Sequence, residues 1–149
     1  MKSLDVVAIA RETLGTPYRP HGRVNGLELD CAGVVIYTCR RLGLPEEILA
    51  GYTAAPEPLE VLGLLKAHFD RVAQVRFLRP GDIAWIRAGK VEPTHLAVVG
   101  DYLGEGLSLI HAADIPGFDR VVEHRMDAVW QGRIVSGWRF KGLDGGLAP

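Results

Sequence analysis

The chain changes character at the turn Arg79-Pro80-Gly81-Asp82. Before it, apolar residues recur at helical spacing. After it, they come in short runs separated by tight turns, as strands do. Helices first and then antiparallel strands joined by short turns predict an α+β fold, with the helices packed on a central antiparallel sheet. A length of 149 residues suits one domain. The expected boundaries are 1–141 for that domain and 142–149 for a flexible C-terminal tail.

The first predicted helix covers 3–14, with Ser3 as its cap and Leu4, Val7, Ala8, Ala10 and Leu14 on one face. Gly15 and Pro17 stop it, and 16–29 form a loop rich in Pro and Gly. A second helix runs from about Cys31 to Leu42, stopped by Gly43 and Pro45. Residues 45–58 read as irregular, and a third helix covers about 59–69. Strands are expected at 83–87, 96–99 and 107–112, the last following a Gly104-Glu105-Gly106 hairpin turn. Two more lie near 119–124 and 133–140.

Bulk properties remove several function classes. The net charge of −1 gives no electrostatic basis for binding nucleic acid or an anionic membrane. No window approaches 18 uncharged apolar residues, so no membrane span is expected. Asp5, Arg11 and Glu12 interrupt any signal-like stretch, so no built-in export signal is expected, and something else would have to carry the chain to a substrate outside the cytoplasm. Paired CxxC, HExxH and EF-hand spacings are absent, as are the glycine-rich phosphate loops, so neither a metal nor a cofactor is expected. The two cysteines, Cys31 and Cys39, would stand roughly 12 Å apart on one helix, beyond disulfide reach, and so should be free thiols.

The chemistry-bearing stretch is Leu29-Asp30-Cys31-Ala32-Gly33, where a turn-rich segment becomes a helix. A thiol in a first helical turn lies among unpaired N–H groups at the positive end of the macrodipole, which favours thiolate. A nucleophile needs a base, and the base needs an orienting partner. His95 opens one predicted strand and His111 lies in the next among Leu109, Ile110, Ala112 and Ala113. A hairpin would make them neighbours on one face. If the second helix aims its N-terminus at that face, Cys31, His95 and His111 line up. His68 reads as a surface residue and His124, in Glu123-His124-Arg125, as solvated. His21 sits in the loop beside the proposed site.

Five pieces in order resemble the NlpC-type cell-wall peptidases, the papain-like cysteine peptidases of bacteria and phages. They are Leu14-Gly15-Thr16-Pro17-Tyr18-Arg19, Leu29-Asp30-Cys31-Ala32-Gly33, Arg79-Pro80-Gly81-Asp82-Ile83, Thr94-His95-Leu96-Ala97-Val98-Val99 and Leu109-Ile110-His111-Ala112. The segment from Val121 to Phe140 is similar to the subgroup encoded in prophage tail clusters and gene transfer agents. The resemblance implies Cys31 as nucleophile, His95 as base, His111 as the orienting residue and Tyr18 as an aid to the substrate and the oxyanion. It implies a substrate-binding role for Asp30, which a helix N-cap accounts for equally well; His21 is the second substrate-binding candidate. The implied substrate is a peptidoglycan stem peptide, cut between D-glutamate and a diamino acid. Implied partners are phage-tail or gene-transfer-agent proteins that would deliver the enzyme to the wall. Ala32 stands where the family usually has serine, and this departure puts substrate preference in doubt. An amidase or acyltransferase on another substrate, or a tail module with a vestigial site, are the alternatives.

Overall fold

The computed structural model describes residues 2–44, 58–87, 95–102, 105–113, 117 and 119–143. The irregular stretch expected at 45–58, Glu46-Glu47, Pro93-Thr94, and Leu103-Gly104 of the expected hairpin lie outside these residues, apart from Pro58.

Helix α1 spans Ser3–Arg11. Its cap is Lys2 rather than the expected Ser3, which is buried inside the first turn. The Lys2 backbone N–H donates to the Asp5 carboxylate. The helix ends earlier than residue 14 for a local reason. The Thr13 hydroxyl donates to the Ala10 carbonyl at 2.6 Å, and Gly15, at φ +86°, turns its N–H onto the Val121 carbonyl. That last bond ties the loop after α1 to the sheet.

A two-stranded ribbon follows, β1 (Arg23–Val24) with β2 (Glu28–Leu29), which the loop composition hid. Helix α2 (Cys31–Arg41) starts directly after it. Asp30, in extended conformation, caps α2 by accepting the Gly33 N–H at 2.7 Å. Gly43, at φ +75°, ends it as expected. Helix α3 is Pro58–His68, with proline at its first position, where the missing N–H costs nothing.

The main sheet has six antiparallel strands: β3 (Phe69–Val72), β4 (Ile83–Ile86), β5 (His95–Asp101), β6 (Leu107–Ala112), β7 (Val121–Arg125) and β8 (Ile134–Phe140). Their order is β3-β8-β4-β5-β6-β7. Strand β3 was not expected: its outer residues Phe69 and Val72 are buried and its middle pair exposed, so it lacks the alternation that marks a strand. A short helix α4 (Ala128–Arg133), capped by Asp127, also went unread.

Each face of the sheet has its own core. Leu96, Val98, Ile110, Ala112 and Val121 face α1 and α2, packing with Val6, Val7, Val34, Val35 and Cys39. The opposite face carries Ala84, Ile86, Ala97, Val99, Leu109 and Ile134, covered by Leu78 and Trp130. Packing reaches Leu143, inside the tail expected from Gly142; residues 144–149 lie outside the described residues.

Candidate active site

The site is assembled where the start of α2 meets the start of β5. Cys31 is half-buried at the first position of α2. Its sulfur accepts hydrogen bonds from the backbone N–H groups of Leu96 and Ala32. Leu96 is the neighbour of His95, so the thiol lies within one residue of the expected base. The Asp30 carboxylate acts electrostatically on both Cys31 and His95, as expected for groups gathered at one place.

The electrostatics reverse one expectation. Burial pushes the Cys31 thiol up to about 11, against the opposing pull of the two backbone N–H groups. The helix start therefore does not leave a standing thiolate. Burial also pushes His95 down to about 4, so its imidazole is neutral at neutral pH. At rest, then, the Cys31 thiol is protonated and the His95 imidazole is neutral. Cys39 is buried, its thiol pushed up to about 12 by desolvation, and both cysteines are free.

His95 and His111 come together as the hairpin predicts. His95 Nε2 lies 2.6 Å from His111 Nδ1, with the rings edge-on at 4.8 Å between centroids. Val98 pairs with Ile110, which sets His111 diagonally across from His95 on the same face. His111 is 1% exposed and, by burial first, held well below the usual imidazole range. The expected docking of α2 on this face is corrected. Helix α2 covers the opposite face, and alternation along β5 puts His95 with Ala97 and Val99. Cys31 approaches β5 at the Leu96 N–H, next to His95 in the chain, and not across the face that carries the histidines.

His124 requires a second correction. It is half-buried rather than solvated, and its Nε2 lies 2.8 Å from His111 Nε2. Its Nδ1 lies 2.9 Å from the Arg125 carbonyl. Trp130 of α4 packs against both rings, at 5.2 Å from His111 and 4.7 Å from His124. The missed signal was register: with Ala112 opposite Val121, His124 falls on the same face as His111. His68 is half-buried at the end of α3, not at the open surface.

The candidate residues of the loop take different places. Tyr18 is half-buried against the helix-side core, and its backbone bridges to Leu29. Asp30 is buried, and its bonds among the described residues go to local structure. It accepts the N–H of Gly33, the N–H of His21 at 3.0 Å and the Arg23 guanidinium at 2.6 Å. His21 is exposed, in the left-handed region at φ +67°. Ala32 is fully buried in the helix-side core, so the hydroxyl it lacks would not have lined an open cleft. Among the described residues no cluster of His, Cys, Asp and Glu could hold a metal ion.

The fold that carries Cys31, His95 and His111 is shared with known proteins. The NlpC/p60 domain of the peptidoglycan hydrolase SagA superposes with a TM-score of 0.66 at 21% identity, covering 94% of this chain and 100% of that one. The chain has the NlpC/P60 fold. A lipoprotein of the NLP/P60 family from Staphylococcus aureus gives 0.62 at 18% identity over 93% of this chain, and NlpC1 from Trichomonas vaginalis 0.63 at 21% over 91%. The chain spans only 41% and 42% of those two proteins. No family model and no curated protein matches the sequence.

Proposed function

We propose that the chain is an NlpC-type cysteine peptidase that hydrolyses an amide in the peptide stem of peptidoglycan. The observation that carries the proposal is the 2.6 Å contact between His95 Nε2 and His111 Nδ1, with the Cys31 sulfur held on the N–H of the residue next to His95. SagA, whose domain shares the fold, is a peptidoglycan hydrolase, which supports the substrate class.

In this reading His95 takes the thiol proton at Nδ1, since Nε2 is engaged by His111. The sulfur then attacks the scissile carbonyl carbon. The tetrahedral oxyanion forms at the positive end of α2, where the Cys31 N–H and the Tyr18 hydroxyl are the proposed donors. Collapse expels the amine, which takes the proton from His95, and leaves a thioester. Water, deprotonated by His95, releases the acid and restores the thiol. Because the resting pair is neutral, the proton leaves sulfur as the carbon–sulfur bond forms.

The bond proposed is the one between D-glutamate and the following diamino acid, with Asp30 and His21 as the substrate-binding candidates. Delivery by a phage-tail or gene-transfer-agent particle belongs to the same proposal. No helix among the described residues is long and apolar enough to cross a membrane. The test is digestion of purified cell wall with mass spectrometry of the fragments. New amine and carboxyl ends at one amide, lost in Cys31→Ala and His95→Ala, are expected. Unchanged digestion by Cys31→Ala refutes the proposal, and an intact wall favours another acyl substrate.

A further inference from the structure

We infer that His124 is a positioning residue that fixes, through His111, which nitrogen of His95 is free to take a proton. The inference rests on the reading of His95 as the base.

The polarity of the chain follows from its one member without a choice. The Arg125 carbonyl oxygen only accepts, so His124 Nδ1 carries the hydrogen that bridges the 2.9 Å. A neutral His124 then offers Nε2 as acceptor, and the 2.8 Å contact places a hydrogen on His111 Nε2. A neutral His111 accepts at Nδ1, so the 2.6 Å contact places a hydrogen on His95 Nε2. The lone pair of His95 is left at Nδ1, the state a base requires. Burial keeps His95 and His111 neutral, as the argument needs.

A doubly protonated His124 reverses everything. It donates from both nitrogens, His111 must accept at Nε2 and donate from Nδ1, and His95 ends with its hydrogen on Nδ1. A His95 in that form cannot take a proton from the thiol. Removing the His124 ring removes the constraint, and both polarities become available.

The charges flanking His124 on its own strand are engaged elsewhere, while Asp30 acts at the His95 end of the chain. His111 faces His124 from β6, and Trp130 faces it from α4 with Arg133 stacked on the indole at 4.9 Å. Glu123 and Arg125, the flanking charges on β7, are turned to other partners. Glu123 pairs with Arg11 and Ser108, and Arg125 pairs with Glu105.

The test uses the full chain labelled with ¹⁵N-histidine at pH 7.5, where ring nitrogen shifts report the tautomer. His95 is assigned by its loss in His95→Gln. In the unaltered chain the hydrogen of His95 is expected on Nε2. In His124→Phe, which keeps a ring against Trp130, His95 becomes a mixture of tautomers. Iodoacetamide labelling of Cys31, resolved from Cys39 by peptide mass, then slows by about two- to tenfold, the weight of one hydrogen bond in an equilibrium. His124→Gln, whose amide oxygen accepts from His111, restores most of the rate. A hydrogen on His95 Nδ1 in the unaltered chain overturns the inference without any variant. So does a folded His124→Phe with unchanged tautomer and labelling, or a His124→Gln no better than it. None of these readouts needs a substrate, so failure to cleave cell wall would sink the functional reading alone.

Discussion

Adding one methyl group at Gly33 tests whether the loop and the helix start form one unit. Gly33 lies in the first turn of α2. A Cβ there would stand 2.3 Å from the Gly22 carbonyl oxygen, 3.0 Å from Leu29 Cδ2 and 3.3 Å from Asp30 Oδ1. The nearest of these is backbone and cannot rotate away, so loop and helix must separate by about 1 Å to reach ordinary contact. Glycine-to-alanine in a helix normally gains up to about 1 kcal/mol. Overpacking costs about 1–3 kcal/mol and should win. At about 2–4 °C per kcal/mol for a chain this long, Gly33→Ala should lower Tm by several degrees. The control is Gly63→Ala in α3, where a Cβ meets nothing within 4 Å and Tm should rise slightly. The same 1 Å displaces Asp30 and Cys31 relative to β5, and errors of that size in a reacting geometry cost about a hundredfold in rate. Cell-wall digestion and Cys31 alkylation should both fall. If Gly33→Ala melts like Gly63→Ala and digests at the original rate, the loop does not hold the site.

Three further outcomes follow from the same geometry. His95 is depressed from an ordinary 6.5 to about 4, so the unfolded chain takes up its proton first as pH falls. The stability this neutral imidazole contributes is intact above about 6.5 and is lost down to about 4, by up to roughly 3 kcal/mol; urea unfolding at pH 7 and at pH 4.5 measures it, and equal stability at both refutes it. Asp82 is fully buried and accepts two bonds from the Arg139 guanidinium at 2.7 and 2.8 Å, so Arg139→Met leaves it the Arg79 N–H at 3.0 Å and the nearby Arg79 charge, and should cost about 3 kcal/mol in the same assay. Asp30→Asn keeps an oxygen for the Gly33 N–H but turns a donor toward the His21 N–H and loses the charge opposite Arg23, costing about 1–2 kcal/mol, whereas Asp30→Ala also loses the cap and should cost about 1 kcal/mol more. A raised KM in Asp30→Asn, with the fold kept, would assign the carboxylate a second role on substrate.

The parts of the fold legible in the sequence are those where local signals decide. Asp30 before Cys31 and Gly43 after Arg41 bracket α2 within a residue, because capping and left-handed exit are local requirements. Strands β5 and β6 were legible because both faces are buried and apolar residues predominate in each. Strand β3 was not, since its pairing with β8 depends on a partner more than sixty residues away. The site divides the same way. Cys31, His95 and His111 are marked by their flanks, but the protonation of Cys31 is set by how deeply tertiary packing buries it, which no flank encodes. His124 sits between Glu123 and Arg125, and charged neighbours suggest water. Those neighbours point to the other side of an edge strand, and the cover over His124 is Trp130 of a helix that comes later in the chain.

The strand order explains why the histidine chain has the length it has. Strands β5, β6 and β7 are consecutive in both sequence and sheet, and each contributes one histidine to the same face. The diagonal offset between neighbouring registers brings each ring to the next at hydrogen-bond distance, so every hairpin extends the chain by one member. It stops at β7, because among the described residues no further strand of the sheet lies beyond that edge. There the Arg125 carbonyl takes the place of a fourth ring. A carbonyl differs from an imidazole in having only one role, so the edge is the point at which an otherwise reversible chain acquires a direction. Alternation along β5 keeps the chain off the face that α2 covers, and the thiol approaches β5 at the Leu96 N–H. His95 is thereby oriented from one side of the sheet while Cys31 comes from the other, on the helix-covered side.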